Sequence, residues 1–127
     1  MKYLFDTDVL IDHLRSRKYL DPEMIAEKSG MSIISLGELL SGAYKSSNPE
    51  RSIEKLHQIF NLGVEVENLN NEIMDTYARI KVKLEKSGQK LDEFDLLIAA
   101  TAIVNNLILV TRDLNHFKRV KELRLID

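Results

Sequence analysis

Glu93–Asn106, EFDLLIAATAIVNN, is apolar almost all the way round a helix, and it runs directly into LILV at Leu107–Val110. A helix without a polar face must be covered on every side, and a continuous apolar strand must be covered on both faces. This stretch therefore needs a sheet enclosed by helical layers. The rest of the chain repeats the alternation. KYLF reads as a strand ending at Asp6, and VLIDHL as the start of a helix. DPEMIAEK carries Asp21 as N-cap, Pro22 at the first helical position and Glu23 in the first turn. SIIS reads as a strand and LGELLSGAYK as the helix after it. SSNPERSIEKLHQIFNLG opens at Asn48-Pro49, closes near Gly63 and keeps Ile53, Leu56, Ile59 and Phe60 on one face. VEVENL is a further strand. NNEIMDTYARIKVKLEKSG holds the stripe Ile73, Tyr77, Ile80 and Leu84 and stops at Gly88. LRLI is the last strand. The pattern predicts an α/β fold with a central, mainly parallel five-stranded sheet flanked by helices on both faces, its strands near residues 2–6, 31–35, 64–67, 107–111 and 123–126.

At 127 residues the chain is the size of one domain, expected to span 1–127. Its formal charge of −2 gives no bulk basic excess, so any contact with nucleic acid must rest on a local patch or a metal ion. Cysteine is absent, which excludes disulfides, thiolate metal sites and cysteine catalysis and fits a reducing, cytoplasmic setting. No apolar run reaches membrane-spanning length, and no leader peptide is expected from the N-terminal pattern, so no membrane association is expected. His13, His57 and His116 match no zinc spacing.

The acidic residues fall where ligands collect in open α/β sheets, beyond the carboxyl ends of the strands. Asp6 ends the first strand. Glu38 is expected in the first turn of the helix after SIIS. Asp113 follows LILV after Thr111 and Arg112. Asp95 begins the helix feeding LILV, and because that helix runs antiparallel to its strand, its N-terminus returns to the same edge. Carboxylates brought together repel and raise one another's pKa, and a hard divalent cation relieves the conflict. Mg²⁺ or Mn²⁺ takes oxygen ligands, activates water and stabilises charge in an in-line phosphoryl displacement. Each residue also has a structural explanation. Asp6 or Asp8 can cap the first helix, Asp92 and Asp95 fit a capping pair, Glu38 can face solvent and TRD can be a turn.

FDTDVLID, ISLGELLSGA, FDLLIAATA and LVTRDLNHF, in this order and spacing, resemble the PIN-domain ribonucleases, and more closely the VapC-type toxins of toxin–antitoxin pairs. The resemblance covers essentially the whole chain. It implies a PIN-like fold and a Mg²⁺- or Mn²⁺-dependent endoribonuclease whose acidic set is Asp6, Glu38, Asp95 and Asp113, serving as both metal ligands and catalytic residues. It also implies a homodimer bound by a cognate VapB-type antitoxin, with RNA as substrate and DNA reached only through the antitoxin. Two positions depart from the pattern: Asp8 stands where the family commonly has asparagine, and His116 precedes Phe117 where some relatives carry an acid.

FDTDVLID also resembles the haloacid-dehalogenase phosphatase motif, in which Asp6 would be a covalent nucleophile and Asp8 an acid/base. Val9 and Leu10 follow where that motif continues with glycine and threonine, and the late paired aspartates are missing from TRDLNH. A non-catalytic PIN module that binds RNA or protein is a third reading. The Thr7 and Thr111 hydroxyls are candidates to orient a carboxylate. Arg112, Lys45, Arg51, Arg79, Lys81 and Lys83 are candidates for phosphate contact, and Tyr44 and Phe117 for base stacking. Asp12, one turn along the first helix, is expected off the rim.

Overall fold

A computed structural model describes residues 2–127. In chain order the elements are β1 (Tyr3–Phe5), α1 (Thr7–Leu14), α2 (Pro22–Ala26), β2 (Ser29–Ser32), α3 (Ile33–Lys45), α4 (Pro49–Asn61), β3 (Glu65–Glu67), α5 (Asn71–Lys86), α6 (Glu93–Val104), β4 (Ile108–Val110), α7 (Leu114–Phe117) and β5 (Arg124–Ile126). The strands form a five-stranded sheet in the order β3-β2-β1-β4-β5, and every pairing is parallel.

Alternation along the strands sends side chains to two cores. Leu4 and Leu109 enter a cluster with α5 and α6 residues such as Ile80, Leu84, Leu96 and Ile98. Phe5 and Val110, one residue on, enter a second cluster with Leu10, Met31, Leu39, Leu56 and Ile59 from the opposite layer. The sheet is thus covered on both faces, as the unbroken apolar run of β4 requires. Each such side chain, when fully buried, contributes about 1.5–3 kcal/mol of transfer free energy. Helix α6 buries Leu96, Ile98, Ala99, Ala100, Thr101 and Ala102, which accounts for its lack of a polar stripe. Among the described residues no helix is long and apolar enough to cross a membrane.

Two boundaries depart from the sequence reading. The second strand is SGMS, not SIIS: Ile33 already belongs to α3. The Ser32 Oγ accepts from the Ile34 backbone N–H at 3.0 Å and caps the helix, so the two isoleucines that read as β-branched strand residues lie in its first turn. Glu38 is consequently in the second turn of α3 rather than the first. Helix α7 was not expected from the sequence, and α1 starts at Thr7 rather than Val9; the other caps and stops hold. The Asp21 carboxylate accepts from Glu23 N at 2.9 Å, Asn48 caps α4 ahead of Pro49, and Gly63 and Gly88 take φ of 108° and 71° just beyond α4 and α5.

The chain moves from β1 outward through β2 to β3, then crosses back to place β4 on the other side of β1. Between β1 and β4 the winding reverses, and such a switch point leaves a crevice at the carboxyl ends of the two strands.

Candidate active site at the carboxyl edge of the sheet

Asp6 leaves β1 at that crevice and caps α1. Its Oδ1 accepts from the Thr7 backbone N–H at 2.8 Å, and its Oδ2 accepts from the Thr111 hydroxyl, at the end of β4, also at 2.8 Å. The residue is only 5% exposed. Burial, with the nearby Asp8 charge and a smaller contribution from Asp95, pushes its carboxyl up to about 7 even though the Thr111 and Thr7 hydrogen bonds favour the ionised form. Capping thus uses one oxygen of Asp6, and the other faces Thr111 at the end of β4.

Glu38 is held across the crevice. The Thr7 hydroxyl lies 2.7 Å from Glu38 Oε1 and 2.9 Å from Ser35 Oγ. The carboxylate can only accept, so the single Thr7 proton goes to Glu38. Ser35 and Glu38 are three residues apart in α3 and share a helix face. At α6, Asp92 takes the cap by accepting from Phe94 N at 3.1 Å, which leaves Asp95 free in the first turn. Burial raises the Asp95 carboxyl to about 6, together with the charges of Asp92, Glu38 and Asp113, while His116 opposes the shift. Asp113 caps α7, and His116 Nδ1 sits 2.7 Å from both of its carboxylate oxygens. The Thr111 hydroxyl that donates to Asp6 also accepts from Asp113 N at 3.0 Å. One buried hydroxyl thus ties the first strand's aspartate to the loop after β4.

The charges of Glu38 and Asp113 reach Asp95, and that of Asp95 reaches Asp6. Among the described residues no three His, Asp or Glu side chains close into a ready-made metal cluster. Mg²⁺ does not require one: it keeps several waters and binds through one or two carboxylates plus substrate phosphate. An all-oxygen donor set of this kind fits such an ion.

Asp12 departs from expectation. It is 5% exposed, and its two carboxylate oxygens lie 3.1 Å from Arg17 Nε and 3.1 Å from Arg112 Nε. The helix turn that puts it four residues after Asp8 aims it inward, not into solvent. Removing its charge would leave two guanidiniums without their partner, so it is no silent position. Asp8 lies 3.9 Å from Arg112 Nε, and burial raises its carboxyl despite that cation. Of the other cations singled out in the sequence, Arg79, Lys81 and Lys83 pair with Asp75, Glu93 and Glu122 on the helical surface, whereas Arg112 stands at the rim. Phe117 is core at 1% exposure, which rules out stacking on a base, and Tyr44 is 67% exposed. His13 accepts from Leu20 N at 3.0 Å. Ser35 and Arg17 were not legible as site neighbours. For Ser35 the available signal was its i,i+3 spacing from Glu38; for Arg17 there was none before the loop fold was known.

A profile of the PIN domain family matches residues 3–123. The ribonuclease VapC1 of Methanocaldococcus jannaschii is 35% identical over 126 residues, covering 98% of this chain and 85% of that protein. The ribonuclease VapC1 of Haemophilus influenzae strain R2866 is 31% identical, covering 100% of this chain and 98% of its own length. Among solved structures, VapBC2 from Rickettsia felis, bound to a DNA fragment from its promoter, matches with a TM-score of 0.90 at 30% identity, covering 99% of this chain and 98% of that one.

Proposed function

This chain belongs to the PIN domain family, and from that premise we propose that it is a Mg²⁺- or Mn²⁺-dependent endoribonuclease, the toxin of a toxin–antitoxin pair, with Asp6, Glu38, Asp95 and Asp113 as its acidic site. The observation that carries the reading is geometric: Thr111 bonds both the Asp6 carboxylate and the Asp113 backbone, and Thr7, next to Asp6, bonds Glu38, so acids from remote segments meet at a sheet switch point, where burial and neighbouring acids also raise the Asp95 carboxyl. A bound divalent cation would offset that repulsion, polarise the scissile phosphate and activate the attacking water. The chain's own residues do the positioning. Thr111 fixes one Asp6 oxygen, Thr7 orients Glu38, and the buried wall of β1 and β4 keeps Asp6 from rotating into solvent. Family membership displaces the dehalogenase reading, and retention of all four acidic positions weighs against a non-catalytic module.

The partner in this reading is a VapB-type antitoxin, in keeping with the VapBC2 assembly among the similar structures. A groove of about 460 Å³ between α1, α3 and α4, lined by Ile11, Leu14, Leu39 and Leu56, runs to Glu38 and offers an apolar track for an antitoxin segment. A guanidinium from that segment would suit the acidic rim. We read 1–127 as one domain acting in the cytoplasm on RNA and reaching DNA only through the antitoxin.

The test is cleavage of RNA by purified, folded variants. Asp6→Asn and Asp95→Asn are expected to lose activity by about a hundredfold or more, the factor that several kcal/mol of lost charge stabilisation represents. Asp75→Asn, an exposed carboxylate paired only with Arg79 on α5, is the matched control and should keep full activity. EDTA should abolish cleavage and Mn²⁺ or Mg²⁺ restore it. Full activity in both active-site variants, or indifference to chelator, ends the metal-nuclease reading.

A further inference from the structure

The loop joining α1 to α2 reads Arg15-Ser16-Arg17-Lys18-Tyr19: three cations and an aromatic in five residues of a chain with a net charge of −2. Its backbone is pinned. Ser16 takes a φ of 56°, Arg17 N and Lys18 N both donate to the Asp12 carbonyl at 2.9 and 3.4 Å, and Leu20 N donates to His13 Nδ1 at 3.0 Å. The His13 and Tyr19 rings meet edge-on, 5.4 Å between centroids. The side chains nevertheless stay outside, with Tyr19 66% exposed and the Arg17 side chain 51% exposed. Beside them opens a cleft of about 130 Å³ whose lining includes Phe5 and Val110, the cations Lys18 and Arg112, Tyr19, and the carboxylates of Asp21 and Asp127.

Arg112 links this cleft to the acidic rim, because it lies between Thr111, which donates to Asp6, and Asp113. The buried Asp12 carboxylate is ion-paired with both Arg112 and Arg17, one oxygen 3.1 Å from Arg112 Nε and the other 3.1 Å from Arg17 Nε. One carboxylate thus sets two half-exposed guanidiniums side by side, with N–H donors left over for a further acceptor.

We propose that the Arg15–Tyr19 loop and Arg112 form a nucleotide-binding shelf that receives single-stranded RNA next to the scissile position; the proposal rests on the ribonuclease reading of the adjoining acidic rim. Paired guanidiniums match phosphate oxygens in a fork geometry, and an exposed tyrosine offers a stacking face to any base. The apolar-floored cleft between them takes an unstacked base, and its Arg112 wall leads the same strand to the carboxylates. An acidic peptide would use the cations but neither the aromatic nor the cleft.

The experiment is anisotropy of a labelled single-stranded oligoribonucleotide with the full chain in EDTA, where no cleavage occurs. Tyr19→Ala is expected to weaken binding about tenfold, within the range measured for losing one stacked base, and Tyr19→Phe to retain it. Lys18→Gln should lower the slope of log affinity against log salt by about 0.7. In cleavage with Mn²⁺, Tyr19→Ala should raise KM with little change in kcat, and all three variants should melt as the wild type does. If the wild type cleaves RNA and Tyr19→Ala binds and cleaves as well as it does, the shelf is overturned while the nuclease stands. If the wild type does not cleave but Tyr19→Ala still loses binding, the shelf stands and the nuclease reading fails. Equal competition by polyglutamate, with Tyr19→Ala indifferent to both ligands, would reduce the loop to a cationic patch and overturn the proposal.

Discussion

At the Asp6 carboxylate one oxygen caps a helix, the other takes the Thr111 hydroxyl, and burial with Asp8 alongside lifts its pKa to about 7. That value has a sign that can be tested. The unfolded chain ionises this group near 3.8, so between about pH 4 and about pH 7 the folded state holds a proton that the unfolded state has lost. Stability from this group is therefore complete below the unfolded value and is lost as pH rises through the folded one. Asp95, raised to about 6, adds a loss in the same direction. In EDTA the wild type should lose denaturant resistance from pH 4 to pH 8, and Asp6→Asn should gain on it over the same interval. Saturating Mn²⁺ should then stabilise the wild type more than the variant at pH 8. Parallel pH profiles of the two proteins, measured as urea midpoints, would refute this origin of the shift. At this scale the sequence was informative about residue types. The position of Asp6 at a strand end, of Asp95 in a first turn, and of two threonines beside acids could all be read from local pattern. The inward turn of Asp12 could not, because its burial depends on Arg17 and Arg112 closing over it from separate loops.

At the scale of elements, the boundary between β2 and α3 decides how Glu38 is aimed. Each residue added to or removed from a helix start turns its faces by about 100°. With Ser32 as cap, Ser35 and Glu38 meet Thr7 while Leu39 enters the core. Ser32→Ala should cost about 1 kcal/mol or somewhat more, since Ser32 is fully buried and the Ile34 N–H would lose its acceptor. An unchanged unfolding midpoint would show that the cap carries no load. The sequence reading placed this strand late because Ile33 and Ile34 are β-branched and Gly30 is a poor strand former. Parallel pairing of Gly30 with Leu4 and Glu65, and the Ser32 cap, outweighed both propensities.

For the whole molecule, the family reading implies a homodimer, and the surface bears on it unevenly. Among apolar helix residues that a dimer could use, Ile59 is core at 1% exposure, Leu40 and Phe60 are half-buried, and Tyr44 is exposed. A second exposed apolar set lies on α5 and α6, where Met74, Val82 and Phe94 are 42%, 49% and 48% exposed. A dimer is expected by light scattering at micromolar concentration, with Tyr44→Glu and Val82→Glu testing the two faces separately. A monomer that is also inert to an antitoxin encoded beside it would refute the assembly.

Apolar periodicity, helix caps and glycine stops act within a few residues, and from them the sequence alone determined the chain order of the five strands, every helix but α7, and the two covered faces of the sheet. Contacts between remote segments were decided only in the tertiary structure. Thr111 bonds Asp6 across 105 positions, Thr7 bonds Glu38 across 31, and Asp12 joins Arg17 to Arg112. Such partners are chosen by the strand order β3-β2-β1-β4-β5 and the register Phe5 to Val110, which bring the ends of β1 and β4 together. The physical reason is that local pattern records the free energy of forming an element, whereas the crossover that seats β4 beside β1 is settled by packing two cores at once.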